Sequence, residues 1–356
     1  MNKKLRNNWI LFTLMVALVI FSWYLQLAYT PSIVSLFGTN SIAEIVSIDV
    51  NGSSQYLVIR GTNIKSQLLL VVHGGPGTPL TPLMRKHNEA LEQDFVVVYW
   101  EQRGAGKSFT LFMDLQPFSL DQYVEDTKVV TTYLLKRFEQ KNIILVGHSW
   151  GSLVGITTAR LYPELIRVYI GVGQNVHFTR QEKMAYDFTI EKATEANDKQ
   201  ALETLKEIGP PMEGRYSNGK DSILKQRKLL AHYHGDSTQY NIEEAYTKAV
   251  IESTEYSWIE KVLFTQGIKA SLDAAEKDLK PFNIFQSVPR LAIPAYFISG
   301  NNDANASPKL VQEYVQSLES PKKEFILLEN SAHYPMLDQP ELFHSTLLNI
   351  VEKVKN

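Results

Sequence analysis

Two apolar runs of strand length stand out in the first third of the chain, LLLVVH at 68–73 and FVVVYW at 95–100. Neither alternates with polar residues, which predicts strands buried on both faces of a parallel sheet. Between them PLMRKHNEALEQ can form the crossover helix. Upstream, EIVSIDVNGSSQYLVIRG alternates and breaks at Asn51-Gly52-Ser53-Ser54, the pattern of a hairpin. Downstream, SLDQYVEDTKVVTTYLLKRFEQ repeats apolar residues at Leu120, Tyr123, Val124, Thr127, Leu134, Leu135 and Phe138, close to helical spacing for one buried face. IILV, SLVGITTARLY and IRVYIGVG then read as strand, helix and strand. Alternation of this kind predicts a doubly wound α/β body, with a mostly parallel sheet, right-handed crossovers and helices on both faces.

From about His177 to Phe285 the rhythm changes. QEKMAYDFTIEKATEA, KQALETLKEIG and NIEEAYTKAVIES are helical stretches without intervening strands, separated by the loop PPMEGRYSNGKD. Strand–helix alternation returns with PAYFISG, PKLVQEYVQSL, EFILL and DQPELFHSTLLNIVEKV. The expected organisation is therefore an α/β core over 44–176 and 286–356, interrupted by a helical insert over 177–285. There is no internal repeat and no low-complexity tract.

The N-terminus differs in kind. Residues 1–8 carry Lys3, Lys4 and Arg6, and 9–29 then run without a charge. A span of about 20 apolar residues, at roughly 1.5 Å each, matches a hydrocarbon core of ~30 Å. The run is longer than a signal peptide's apolar region and lacks the polar stripe of a soluble helix. The expectation is a transmembrane anchor over 9–29, a cytoplasmic 1–8, and a linker over 30–43. The body of the protein would then lie outside the cytoplasm, in a single-pass protein of the cell membrane.

Composition narrows the chemistry. A 44% hydrophobic and 21% charged chain is ordinary for a globular protein, which argues against wholesale disorder. A formal net charge of −2, with no basic run interleaved with aromatics, gives no reason to expect a nucleic-acid partner. The absence of cysteine excludes disulfides, thiolate metal sites and a cysteine nucleophile. No H-E-x-x-H or comparable ligand set occurs, so neither a metal nor a cofactor is expected. The oligomeric state is not legible.

Reactive groups of open α/β sheets gather at the carboxyl ends of the strands. Ser149 lies just past such an end, in Gly147-His148-Ser149-Trp150-Gly151, the G-x-S-x-G pattern of a nucleophile elbow. Asp303 follows the strand PAYFISG in GNND, and His333 follows EFILL in NSAHYP. Serine, acid and histidine thus occur in the chain order expected of a triad. His333 would take the serine proton and return it to the leaving group, while Asp303 would orient the imidazole. Two backbone amides would hold the oxyanion, from Trp150 and from Gly75 in the glycine-rich loop His73-Gly74-Gly75-Pro76-Gly77 after LLLVVH. His148, by the alternation of its strand, should point away from the elbow and pack. His232, His234 and His344 read as ordinary polar residues.

HGGPG, WEQRGAGKS at 100–108, GHSWGS, GNND and AHYP together resemble the α/β-hydrolase family, and within it the proline iminopeptidase branch of serine peptidases. The likeness covers roughly Ile45 to Val354. It implies a cap domain over the site, here 177–285, and hydrolysis of small amides or esters through an acyl-enzyme. It also implies that cap carboxylates hold the free amine of the substrate. Glu252, in Ala249-Val250-Ile251-Glu252, is the candidate by local similarity, with Glu213, Glu244 and Glu255 in the same insert. Three readings stay open: an aminopeptidase releasing N-terminal residues from small peptides, a membrane-anchored carboxylesterase or lipase, and a non-catalytic binding module.

Overall fold

Apolar residues that alternate along the central strands feed two separate cores, one on each face of a single sheet. The computed structural model describes residues 3–26, 28–33, 40–113, 119–278 and 281–354. Its strands are β1 (Ile42–Val50), β2 (Ser53–Gly61), β3 (Leu68–Val72), β4 (Val96–Glu101), β5 (Ile143–His148), β6 (Ile166–Val172), β7 (Ala295–Gly300) and β8 (Lys323–Leu328). They form one sheet in the order β1-β2-β4-β3-β5-β6-β7-β8. The two pairings of β2, with β1 and with β4, are antiparallel, and all the others are parallel. The β1–β2 hairpin turns on Asn51 and Gly52, both at positive φ, as a two-residue turn requires.

Every residue of β3, β4, β5 and β7 is buried, the signature expected of their unbroken apolar runs. Leu68, Leu70 and Val72 join one core and Leu69 and Val71 the other, because successive side chains of a strand face opposite ways. The first core is covered by α4 (Leu120–Phe138), α5 (Trp150–Leu161) and α12 (Pro308–Ser317); α14 (Pro340–Lys353) covers the second. Short helices complete the core: α2 (Thr81–His87), α3 (Leu91–Asp94), α11 (Ile284–Ser287) and α13 (Pro335–Asp338). The expected crossover helix over 82–93 is thus broken in two, with Asn88 ending α2.

From β3 the chain goes to β4 on one side and later returns to β5 on the other. The loops after β3 and β5 therefore open at the point where the strand order reverses, the usual place for a site in such sheets. Between β6 and β7 lie α6 (Phe178–Glu195), α7 (Lys199–Ile208), α8 (Gly219–His232), α9 (Ile242–Glu252) and α10 (Trp258–Asp278). Helices α8 and α10 are additional to the three stretches legible in the sequence. The loop expected to run through Asp221 ends early, because α8 begins at Gly219.

The N-terminal expectation is corrected. Among the described residues no helix is long and apolar enough to cross a membrane. Helix α1 (Lys3–Gln26) stops short of residue 29. Residues beyond the helix are tied to the folded body instead. The Tyr29 amide donates to Thr254 O at 2.9 Å, and Arg60 Nη1 donates to Pro31 O at 2.5 Å. The membrane contact inferred from that span is not supported. Of the linker expected over 30–43, residues 34–39 lie outside the described residues, and β1 already begins at Ile42.

Candidate active site

The turn from β5 into α5 is sharp because three constraints meet there. Ser149 sits at φ 54° and ψ −120°, a strained conformation for a residue with a side chain. Its amide donates to Val172 O at 3.0 Å, which locks the turn to β6. Gly151 passes so close to β3 that a Cβ there would lie 2.0 Å from Val72 O, so no other residue fits. Ser152 Oγ donates to Ser149 O at 2.6 Å and accepts from the Asn175 amide at 2.9 Å, bracing the first turn of α5. Trp150 opens that helix, where backbone amides have no intrahelical acceptor.

The loop after β3 lies against the elbow: a Cβ on Gly74 would be 3.1 Å from Ser149 Cβ. Gly75 follows at φ 114°, a region closed to other residues, and lines the same cavity as Ser149 and Trp150. His73 holds this loop. Its Nε2 accepts from the Gln102 amide at 3.1 Å, so its proton is on Nδ1, which donates to Gly74 O at 2.8 Å. Burial pushes the ring down to about 4, against the weaker opposing effect of that hydrogen bond, and keeps it neutral. Gln102 Nε2 adds a second bond, to His73 O at 2.8 Å.

The WEQRGAGKS segment is thus scaffolding for the glycine-rich loop. Its Arg103 grips Asp126 of α4 with Nε at 2.5 Å and Nη2 at 2.9 Å. Glu101 is buried and accepts from Thr81 Oγ1, from Tyr256 Oη at 2.7 Å and from the Lys107 amide at 3.2 Å. Burial outweighs these donors and pushes its carboxyl up to about 7.

Asp303 and His333 come together from the loops after β7 and β8. His333 Nδ1 and Asp303 Oδ2 are 2.9 Å apart, and both residues are buried. Asp303 Oδ1 accepts two amides, Asn305 at 2.9 Å and Ala306 at 2.7 Å, an environment that suits a carboxylate. Nδ1 of His333 must then be the donor, which leaves Nε2 as the acceptor. Ser149 and His333 line one cavity of about 620 Å³.

His148, expected to pack, is buried, but it also touches the site. Its Nε2 lies 2.8 Å from His333 O and so donates to it, and its ring lies 4.9 Å from that of His333. Burial first, and the neighbouring His333, push His148 down to about 3. The signal that could have found it is its position: the residue before the elbow serine ends β5, beside the loop after β8.

The candidate carboxylates divide differently from expectation. Glu252 does not reach the cavity: its side chain is 50% exposed and pairs with Lys86 at 2.6 Å on the outside of α9. Glu213 and Glu244 are exposed as well, and Glu255 is buried away from the cavity, on Arg85 at 3.1 Å. Two other acids of the insert line the cavity, Glu182 of α6 and Asp236. Glu182 Oε1 is paired with Arg227, while Oε2 is buried without a hydrogen-bond partner among the described residues. Asp236 Oδ1 is likewise buried and unpartnered, and burial pushes its carboxyl up to about 6. No local motif marks either residue.

Residues 67–340 match the family described as the alpha/beta hydrolase fold. A probable aminopeptidase of Bacillus subtilis (strain 168) is 32% identical over 311 residues, covering 86% of this chain and 96% of that protein. A proline iminopeptidase of Chitinophaga pinensis is 23% identical, over 83% of this chain and 93% of its own length. Among solved structures, the proline iminopeptidase of Mycobacterium smegmatis superposes with a TM-score of 0.65 over 87% of this chain and 98% of its own, at 14% identity, a likeness of fold.

Proposed function

The chain belongs to the α/β-hydrolase family, and on that footing we propose that it is a serine aminopeptidase releasing N-terminal residues from small peptides. Ser149 Oγ attacks the carbonyl of the first residue while His333 Nε2 takes its proton. Asp303 holds the imidazole in the Nδ1–H form and supports the imidazolium. The Gly75 and Trp150 amides receive the developing oxyanion. His333 then delivers the proton to the departing amine, and water releases the acyl group from Ser149 by the reverse relay. Residues 177–285 act as a cap that walls the cavity.

The observation that carries the peptidase reading is Glu182 Oε2, a buried carboxylate oxygen with no hydrogen-bond partner among the described residues, in the same cavity as Ser149 and His333. Leaving such a group unpaired is costly, and a substrate ammonium would supply the missing donor. The cavity volume of about 620 Å³ suits a small ligand and not a folded protein.

The test compares free and N-acetylated alanyl or prolyl arylamides. A charge-assisted hydrogen bond worth about 1.5–3 kcal/mol corresponds to roughly 10–150-fold in kcat/KM. Acetylation is therefore expected to lower kcat/KM by at least about tenfold, and Glu182→Gln should erase most of that difference. Equal rates on the two substrates would turn the reading to an esterase.

A further inference from the structure

The loops carrying Asp303 and His333 belong to the core, yet both are hydrogen-bonded to one short segment of the insert. Residues 235–239 lie between α8 and α9. The Ala304 amide, next to Asp303, donates to Gly235 O at 2.9 Å, and the His333 amide donates to Asp236 O at 2.8 Å. Thr238 Oγ1 donates to Asn330 O at 2.8 Å. Ser237 Oγ donates to Asp338 Oδ1 at 2.5 Å, and Gln239 Nε2 to Asp338 O at 2.6 Å. Asp338 Oδ2 in turn receives the Ala332 amide at 2.8 Å. The carboxylate of Asp338, 2% exposed, thus joins the insert on one side to the histidine loop on the other.

We infer that residues 235–239 are a clamp that braces Asp303 against His333 from the side of the insert, with Ser237 and Asp338 as its positioning residues. The inference rests on the reading of Asp303 and His333 as hydrolytic groups. These two residues sit on loops of different strands, which the core joins on one side through the Asn302 amide to Ser331 O at 2.9 Å and Asn301 Nδ2 to Glu329 Oε2 at 2.7 Å, while residues 235–239 bridge them on the other. The side-chain bonds at Asp338 are short and buried or half-buried, those to its carboxylate are of the stronger class, and the bond of Thr238 is exposed. Proton transfer is sensitive to misplacement of an ångström. An insert that lifts from the core removes the bonds to Ala304 and His333 together, and so loosens both loops at once.

The experiment uses the full chain and two readouts: steady-state kinetics on an alanyl arylamide, and the rate of labelling by a fluorophosphonate, which reports the relay without needing a substrate amine. Ser237→Ala and Asp338→Asn are expected to lower kcat and the labelling rate by roughly ten- to a hundredfold with KM within about twofold. Where Asp338→Asn fails to fold, Ser237→Ala, which removes one hydroxyl, decides. A Ser237→Ala enzyme with unchanged kcat and labelling rate overturns the clamp. A raised KM at unchanged kcat also overturns it, by placing the segment in substrate binding. Wild type that is not labelled at Ser149 removes the reading on which the clamp rests; labelled wild type with indifferent variants removes the clamp alone.

Discussion

The core and the insert build their parts of the site by different means. In the core, chemistry comes from backbone geometry: a strained turn at Ser149, a glycine-rich loop beside it, and two strand-end loops that bring Asp303 to 2.9 Å from His333. Three of the strands that carry these features, β3, β5 and β7, are buried at every residue, so they share the rigidity of two packed cores; β8, which leads to His333, is the edge strand and is buried only at Leu328. In the insert the contribution is made by side chains. Its helices bury single stripes, such as Tyr186, Leu205 and Ile208, and turn polar groups such as Glu182 and Arg227 toward the cavity. The clamp at 235–239 is the exception, since there the insert holds core loops directly.

The largest effect should come from the core. A Cβ at Gly151 would stand 2.0 Å from Val72 O and 2.5 Å from His73 O, both backbone atoms that cannot step aside. Gly151→Ala is expected to cost at least about 3 kcal/mol and to yield little folded protein. Soluble expression and denaturant titration check it; a variant as stable as wild type would break the contrast between a rigid elbow and a tolerant insert.

A smaller effect lies where core and insert meet, at Glu101 and Tyr256. Burial holds the Glu101 carboxyl up at about 7 from an ordinary 4.5, so the folded state keeps a proton that the unfolded chain releases. The resulting stability is fully present below the unfolded value and is lost as pH rises through about 7. Asp236, pushed up to about 6 by burial, adds a decline of the same sign. Glu101→Gln titrates in neither state and keeps an acceptor for Tyr256. It should flatten part of the fall in Tm between about pH 5 and 8. An unaltered Tm–pH curve would show that Glu101 stays ionised when buried.

The smallest effect belongs to the outer face of the insert. Glu252 and Lys86 form an exposed pair, the kind that contributes little in water. Glu252→Gln should leave kcat/KM on free-amine arylamides within about twofold of wild type, in contrast to Glu182→Gln. A tenfold loss would return the amine site to Glu252.

Much of the core was legible because its signals are local. G-x-S-x-G between an apolar run and a helical pattern marks the elbow, and GNND and NSAHYP each follow a strand, so the meeting of Asp303 and His333 could be anticipated. The insert was less legible for a physical reason. Which of its acids faces the cavity depends on how five helices pack, and Glu182 and Glu252 sit in equally unremarkable helical surroundings. Helix α8 was hidden by Asn218 and Gly219, turn residues that here begin a helix. The roles of Gln102 and His73 required the three-dimensional contact between two loops that the chain separates. At the N-terminus an uncharged run suggested a span, but the helix ends at Gln26 and the following residues bind the protein's own surface.

In the proposed relay Ser149 is the nucleophile that His333 and Asp303 activate. The most direct measurement is fluorophosphonate labelling followed by peptide mapping, run beside turnover of an alanyl arylamide. A single adduct on Ser149 is expected in wild type and none in Ser149→Ala. That variant should lose at least about a thousandfold in kcat while keeping its Tm. An adduct on another serine, or turnover that survives Ser149→Ala, would contradict the account.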